Sequence, residues 1–239
     1  MGGEVESIGV AEARNALAWW IEVGVDIAVQ ESPRDWLKPA PPRQTPIPEP
    51  APLANVAQPD ADTLVALQQW LASSAQVPLA SVSTKRILPH GPESAPVMLL
   101  SDSPTLEDAA AGQPIGGDSW TLATRMLRAI GISADEAYSA SLSCLHAPGS
   151  RRLNETDRAA LAEVARRHIR LAKPKRLILF GDGPCQALLG KSLPEARGHV
   201  HKIEGVRAVA TFHPRHLIHR PLDKSLAWRD LLLLMEDET

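Results

Sequence analysis

Apolar positions along the chain change period several times, and each change marks an element. Leu17, Trp20, Ile21 and Ala28 fall on one side of a predicted helix over residues 9–30, which Gly24 interrupts and Pro33 ends. Pro39, Pro41, Pro42, Pro46, Pro48, Pro50, Pro52 and Pro59 follow. A stretch so punctuated forms neither helix nor inner strand and reads as an extended, semi-rigid tether. Regular patterning starts near residue 60. Helices are predicted over 60–73 with Asp60 or Asp62 as N-cap, over 119–130 with Gly131 as stop, over 154–171 capped by Asn154 or Thr156, over 183–189 and over 222–235. Between them lie short apolar runs read as strands, at 97–100, 137–143, 176–180 and 207–211. The run R-L-I-L-F at 176–180 has the continuous apolar character of a strand buried on both faces.

Strands alternating with helices imply an α/β fold with parallel pairing. Ligands of such sheets bind outside the carboxyl ends of the strands. The site is therefore expected in the loops 101–108, 144–152, 181–184 and 212–220.

Composition narrows the picture in three ways. A length of 239 residues suits one domain with an appendage. Lys and Arg number 25 against 28 Asp and Glu, a net charge of −3, which argues against strong non-specific nucleic-acid binding and leaves room for one local basic face. Cys144 and Cys185 alone make neither a disulfide framework nor a four-thiolate cluster. The opening M-G-G-E-V-E-S-I-G-V has no signal-peptide pattern, and no apolar run is long enough to span a membrane, so the expected location is the cytoplasm. Trp19 and Trp20 on the first helix suit packing on the main domain or docking of a protein partner.

Two loops carry candidate chemistry. S-D-S-P-T-L-E-D brings Asp102, Glu107 and Asp108 near the end of a strand, where a carboxylate can orient water or stabilise a developing cation. The same residue types also make turns and helix caps. T-F-H-P-R-H-L-I-H-R-P places His213 at the end of the last strand, where a neutral imidazole can donate to an anionic leaving group. Pro214 suits the first turn of a helix. Arg215, His216, His219 and Arg220 form the most basic short stretch of the chain and suit phosphate contacts. The three His lack Cys or carboxylate partners at metal-ligand spacing, so no metal is expected. Neither G-x-G-x-x-G nor G-x-x-x-x-G-K-[ST] occurs, which weighs against a nucleotide-binding enzyme.

T-F-H-P-R-H-L at 211–217, followed by basic residues and Pro, resembles the final motif of the family 4 uracil-DNA glycosylases. K-P-K-R-L-I-L-F-G-D-G-P-C-Q-A-L-L-G at 173–190 is similar to the family's buried strand and following helix, and Arg197-Gly198 to its R-G turn. S-C-L-H-A-P-G-S-R at 143–151 resembles K-C-R-P-P-G-N-R, G-Q-P-I-G-G at 112–117 resembles G-R-P-F-V-G, and Pro104 with Glu107-Asp108 resembles G-E-A-P-G-x-x-E-D. Order and spacing agree over about residues 64–236. The resemblance implies a three-layer α/β/α fold with a central, mostly parallel four-stranded sheet. It divides the chain into an N-terminal helical segment (1–38), a Pro-rich linker (39–59) and a glycosylase-like domain (60–239).

The resemblance also implies base excision in DNA repair, with the nucleotide flipped into a pocket. Asp102 matches the catalytic acid and His213 the imidazole that stabilises the departing base. Pro104, Asp108, Ile115 and Ala140 match pocket positions. Ile115 stands where the family has a stacking Phe, and Ala140, counted back from Cys144, where an Asn reads the base edge; Ser139 or Ser141 would have to supply those hydrogen bonds. Arg215, His219 and Arg220 match the DNA-binding end of the last motif. The family's iron–sulfur ligands fall on Ser74, Val77, Cys144 and Ala160 or Leu161, so the cluster is expected to be absent. Two functions follow. One is a glycosylase of relaxed or changed base specificity acting on single-stranded or damaged duplex DNA. The other is an inactive glycosylase-fold protein that binds nucleic acid, or a protein partner through the N-terminal helix.

Overall fold

Short strands stay in register with helices on both faces only if both sets of their side chains are apolar, and the central strands meet that condition. The computed structural model describes residues 61–80, 85–146 and 155–236, all within the unit Pro52–Thr239. In chain order the elements are α1 (Leu64–Ser73), β1 (Lys85–Arg86), β2 (Val97–Ser101), α2 (Leu106–Ala111), α3 (Gly117–Ala129), β3 (Ala137–Ser141), β4 (Leu145–His146) and α4 (Glu155–Ala172). They continue with β5 (Arg176–Phe180), α5 (Asp182–Leu189), α6 (Leu193–Ala196), β6 (Val200–Ile203), β7 (Val206–Thr211), α7 (Pro214–His219) and α8 (Lys224–Met235). The helix predicted over 9–30, the tether at 39–59 and the 147–152 part of the second expected loop lie outside the described residues.

The main sheet has the order β3-β2-β5-β7-β6. Its first four strands are parallel and are the four predicted from the apolar runs. A fifth strand, β6, adds an antiparallel edge that the sequence reading did not contain. It turns into β7 through Glu204 and Gly205, both at positive φ (50° and 83°), as a tight two-residue hairpin requires.

Alternation along the strands builds two cores. Met98, Leu100, Tyr138, Ala140, Leu177, Leu179, Ala208 and Ala210 pack with Leu161, Ala165 and Ile169 of α4 and Cys185 and Leu188 of α5. On the other side Val97, Leu99, Ile178, Phe180 and Val209 pack with Leu127 of α3 and Leu231 and Leu234 of α8. Each fully buried Leu or Ile contributes about 1.5–3 kcal/mol from loss of water contact. The result is the three-layer α/β/α architecture. Among the described residues no helix is long and apolar enough to cross a membrane.

Helix starts differ in detail from the sequence reading. Thr63, not Asp60 or Asp62, caps α1, its hydroxyl accepting from the Ala66 N–H at 3.2 Å. Thr156 lies inside the first turn of α4 rather than before it. The chain runs from β2 outward to β3 and then returns to β5 on the other side of β2. The reversal opens a crevice above the carboxyl ends of β2 and β5, where ligands of open α/β sheets bind.

Candidate active site

The loop that leaves β2 begins with Asp102, exposed at this crevice. Its carboxyl keeps water contact but has protein closely around it. Its pKa is raised, first by that desolvation and further by the charge of Asp182; a hydrogen bond from the Ser103 N–H and the charge of Arg215 pull the other way. Such a carboxyl accepts a proton more readily than an ordinary surface Asp.

Asp108 lies six residues on and has a different environment. It is 1 % exposed. Its Oδ2 accepts from the Thr105 N–H (2.8 Å), the Thr105 hydroxyl (2.7 Å) and Arg215 Nη2 (2.7 Å), and its Oδ1 accepts from the Gly116 N–H (2.7 Å). With Thr105 it closes a capping box on α2. Glu107 accepts from the Asp118 N–H at the start of α3 (3.3 Å). The sequence left these two acids between chemistry and capping, and both make capping hydrogen bonds. Arg215 also bonds the Thr105 hydroxyl (3.2 Å), so its guanidinium ties the loop after β7 to the loop after β2. Arg215, expected as a DNA contact, is thus ion-paired with a buried acid while one-third of its side chain stays exposed. His219 and Arg220 are exposed at the end of α7, where phosphate can reach them.

His213 is the residue between β7 and α7. Its Nδ1 accepts the Arg215 N–H at 3.1 Å and so caps α7. The ring is half-buried, with the Phe180 ring edge-on at 5.8 Å. Burial, with the nearby Arg215 charge, lowers its pKa to about 4 against a small opposing pull from Asp108. At neutral pH the imidazole is uncharged. With Nδ1 accepting, its single proton sits on Nε2, which makes Nε2 a neutral donor. The loop around it is braced by a stack: Arg197 lies 4.1 Å from the centroid of the Phe212 ring, and His216 stacks on Phe212 at 4.7 Å. Arg197 is in turn bound to buried Asp230 at 2.8 Å and His216 to Asp223 at 2.7 Å.

The pocket positions divide by sheet face. Ile115 is fully buried with Leu99, Ile178 and Phe180 on the α3 side. Ala140 is fully buried on the opposite, α4 side, with Leu100 and Leu179. Ala140, matched to the family's edge-reading position, therefore lies on the opposite face of the sheet from Ile115. Its neighbour Ser141 pairs in register with Ser101, is half-buried, and brings its hydroxyl to 3.2 Å from that of Ser101. The Ser101 hydroxyl lies 3.3 Å from the Pro114 carbonyl, next to Ile115. Ser139 is buried and bonded to the His90 carbonyl (3.1 Å), so of the two candidate hydroxyls Ser141 is the more exposed. Pro104 is buried, and its carbonyl accepts from His146 Nδ1 (2.8 Å).

His146, Asp182, Phe180 and Gly183 are site residues that the sequence reading did not single out. The only signal for the last three was their place in F-G-D-G-P, directly after a buried strand.

The family model of the uracil DNA glycosylase superfamily matches residues 88–232, from just before β2 into α8. The chain belongs to the uracil DNA glycosylase superfamily. Within that superfamily it is similar to the type-4 uracil-DNA glycosylase of Archaeoglobus fulgidus, at 21 % identity over 141 residues, covering 55 % of this chain and 71 % of the relative. It is also similar to the type-4 uracil-DNA glycosylase of Pyrobaculum aerophilum, at 22 % identity over 177 residues, covering 70 % and 90 %.

The positions matched to the family's cluster ligands, Ser74, Val77, Cys144 and Ala160 or Leu161, all lie among the described residues. Val77 and Cys144 pack with Leu71, Leu145 and Val164 in a small apolar core. Burial pushes the Cys144 thiol up to about 11. The Arg86 guanidinium donates to the Leu71 carbonyl (2.5 Å) and the Ser74 carbonyl (2.7 Å), which joins the end of α1 to β1. Among the described residues no three His, Cys, Asp or Glu converge.

Proposed function

We propose that this domain hydrolyses the N-glycosidic bond of a base flipped out of single-stranded or damaged duplex DNA, with Asp102 and His213 as the working pair and without an iron–sulfur cluster. The His213 ring carries the reading. Its Nδ1 is taken by a backbone N–H and its pKa lies near 4, so Nε2–H is a neutral donor at working pH. A donor of that kind stabilises an anionic leaving group without having to surrender a full proton.

The reaction balances on these two residues. As the C1′–N bond breaks, its electron pair passes to the base, whose carbonyl oxygen accepts from His213 Nε2–H. The Asp102 carboxylate stabilises the cation-like sugar and orients a water. The water oxygen bonds to C1′ and its proton passes to Asp102, whose raised pKa suits that role. Ser141 reads the base edge with a hydroxyl that both donates and accepts, which relaxes base discrimination relative to an amide. Exposed His219 and Arg220 hold phosphate. Both cysteines are buried free thiols, in keeping with a reducing cytoplasm.

One observation favours a second reading, a glycosylase-fold protein that binds nucleic acid or a protein partner without excision: Ile115 and Ala140 stand where the family has a stacking Phe and an edge-reading Asn, and neither side chain can stack as a ring or hydrogen-bond. Excision from oligonucleotides containing uracil or hypoxanthine separates the two. The expected result is abasic product, reduced about 10²–10³-fold by His213→Ala. Folded protein in excess that leaves every substrate intact would establish the second reading.

A further inference from the structure

Gly183 stands in the first turn of α5, where glycine is a poorer helix former than alanine. Its φ lies outside the left-handed region, so the backbone does not call for glycine. Space does. A Cβ built on Gly183 would lie 2.5 Å from both Cγ and Oδ1 of Asp102 and 2.7 Å from Oδ2. All three are far inside van der Waals contact, and together they are the whole carboxyl group. The contact joins the exits of β2 and β5, hydrogen-bonded neighbours at the reversal of the sheet order.

We propose that Gly183 is the positioning residue of Asp102: its bare Cα is the seat against which the carboxyl group rests. The inference rests on Asp102 being the working acid of the proposed reaction. It adds what holds that acid in the crevice. Asp102 is a short side chain with solvent beside it, so a methyl group at position 183 displaces the carboxyl rather than the backbone. The charged groups that face it are Asp182 on α5 and Arg215 on α7. Once displaced toward water the carboxyl loses the desolvation that the seat imposes. The same substitution improves the intrinsic helix propensity of α5, so stability and function move in opposite directions.

The test is Gly183→Ala in the full chain, read by thermal melting, by ¹³C NMR titration of the Asp carboxyl signals with Asp102→Asn as the assignment control, and by single-turnover excision. Melting at the same or a higher temperature is expected. The Asp102 midpoint is expected at lower pH than in the wild type, and excision about a hundredfold slower, the scale of an ångström-sized misplacement. An Asp102 titration identical in the two proteins would overturn the proposal, whatever the rates. The excision reading fails separately, through a wild type inert on every oligonucleotide, and the carboxyl titration still decides whether the seat exists.

Discussion

Replacing Asp108 by Asn removes one charge from a site that is 1 % exposed and leaves the shape unchanged. The carboxylate accepts four hydrogen bonds, one of them from a guanidinium at 2.7 Å. An Asn has one acceptor oxygen and turns its NH₂ toward donors, so either the Gly116 N–H or the Thr105–Arg215 group loses its acceptor. A hydrogen bond to a charged partner contributes about 1.5–3 kcal/mol, and a buried N–H left unpaired costs about 1–3 kcal/mol. Arg215 is one-third exposed, so water compensates part of its loss and the lower half of each range applies. The expected cost is about 3 kcal/mol, or roughly 6–12 °C in melting temperature for a domain of this size. Denaturant unfolding of Asp108→Asn, Arg215→Ala and the double variant measures it. Because one interaction is removed twice, the double variant should fall short of the summed singles by about 1 kcal/mol or more. A loss below about 0.5 kcal/mol for Asp108→Asn, or a strictly additive cycle, would refute the view that this pair joins the loops after β2 and β7.

Three further expectations concern groups away from the acid and the imidazole. His168 is buried, 2.8 Å from the Tyr138 hydroxyl, and desolvation lowers its pKa to about 4. The unfolded chain binds that proton near pH 6.5 and the folded chain only near 4, so stability falls as pH drops through this window; His213, also near 4, acts with the same sign. Unfolding by urea at pH 7.5 and pH 5 should show the loss, and His168→Gln should flatten it; an unchanged slope in that variant would assign the effect elsewhere. Arg86→Ala deletes both donors to the end of α1 and should cost about 2 kcal/mol, with Arg86→Lys between it and wild type. Melting of the wild type should be the same after chelation and after incubation with iron and sulfide, and a rise with iron would show that a cluster, not Arg86, secures α1.

Buried parallel strands announce themselves in sequence because both faces must be apolar, and β2, β5 and β7 were legible for that reason. β6 escaped notice because an edge strand needs only one apolar face, and V-H-K-I alternates exposed and covered residues over just four positions. The helices α2 and α6 span six and four residues, too short for a period to show. Asp102 and His213 were legible as polar residues at strand ends. Asp108 with Arg215 was not, since 107 residues separate them and only the fold brings them together. The face that Ala140 occupies was not legible, because counting along a chain does not reveal which face a strand residue takes. Gly183 was invisible for a plainer reason: its role is the space left by a side chain it lacks.

The proton on His213 is located by the amide of Arg215, two residues along the same chain. In many sites a carboxylate from a distant element does this, and a change in either partner releases the ring. Here the lock is made of backbone and lies within His213-Pro214-Arg215. An amide does not titrate, and every side chain at position 215 except proline keeps it. The orientation of the imidazole is thereby insulated from mutation across the rest of the domain, so the walls of the crevice can diverge while the donor keeps its place.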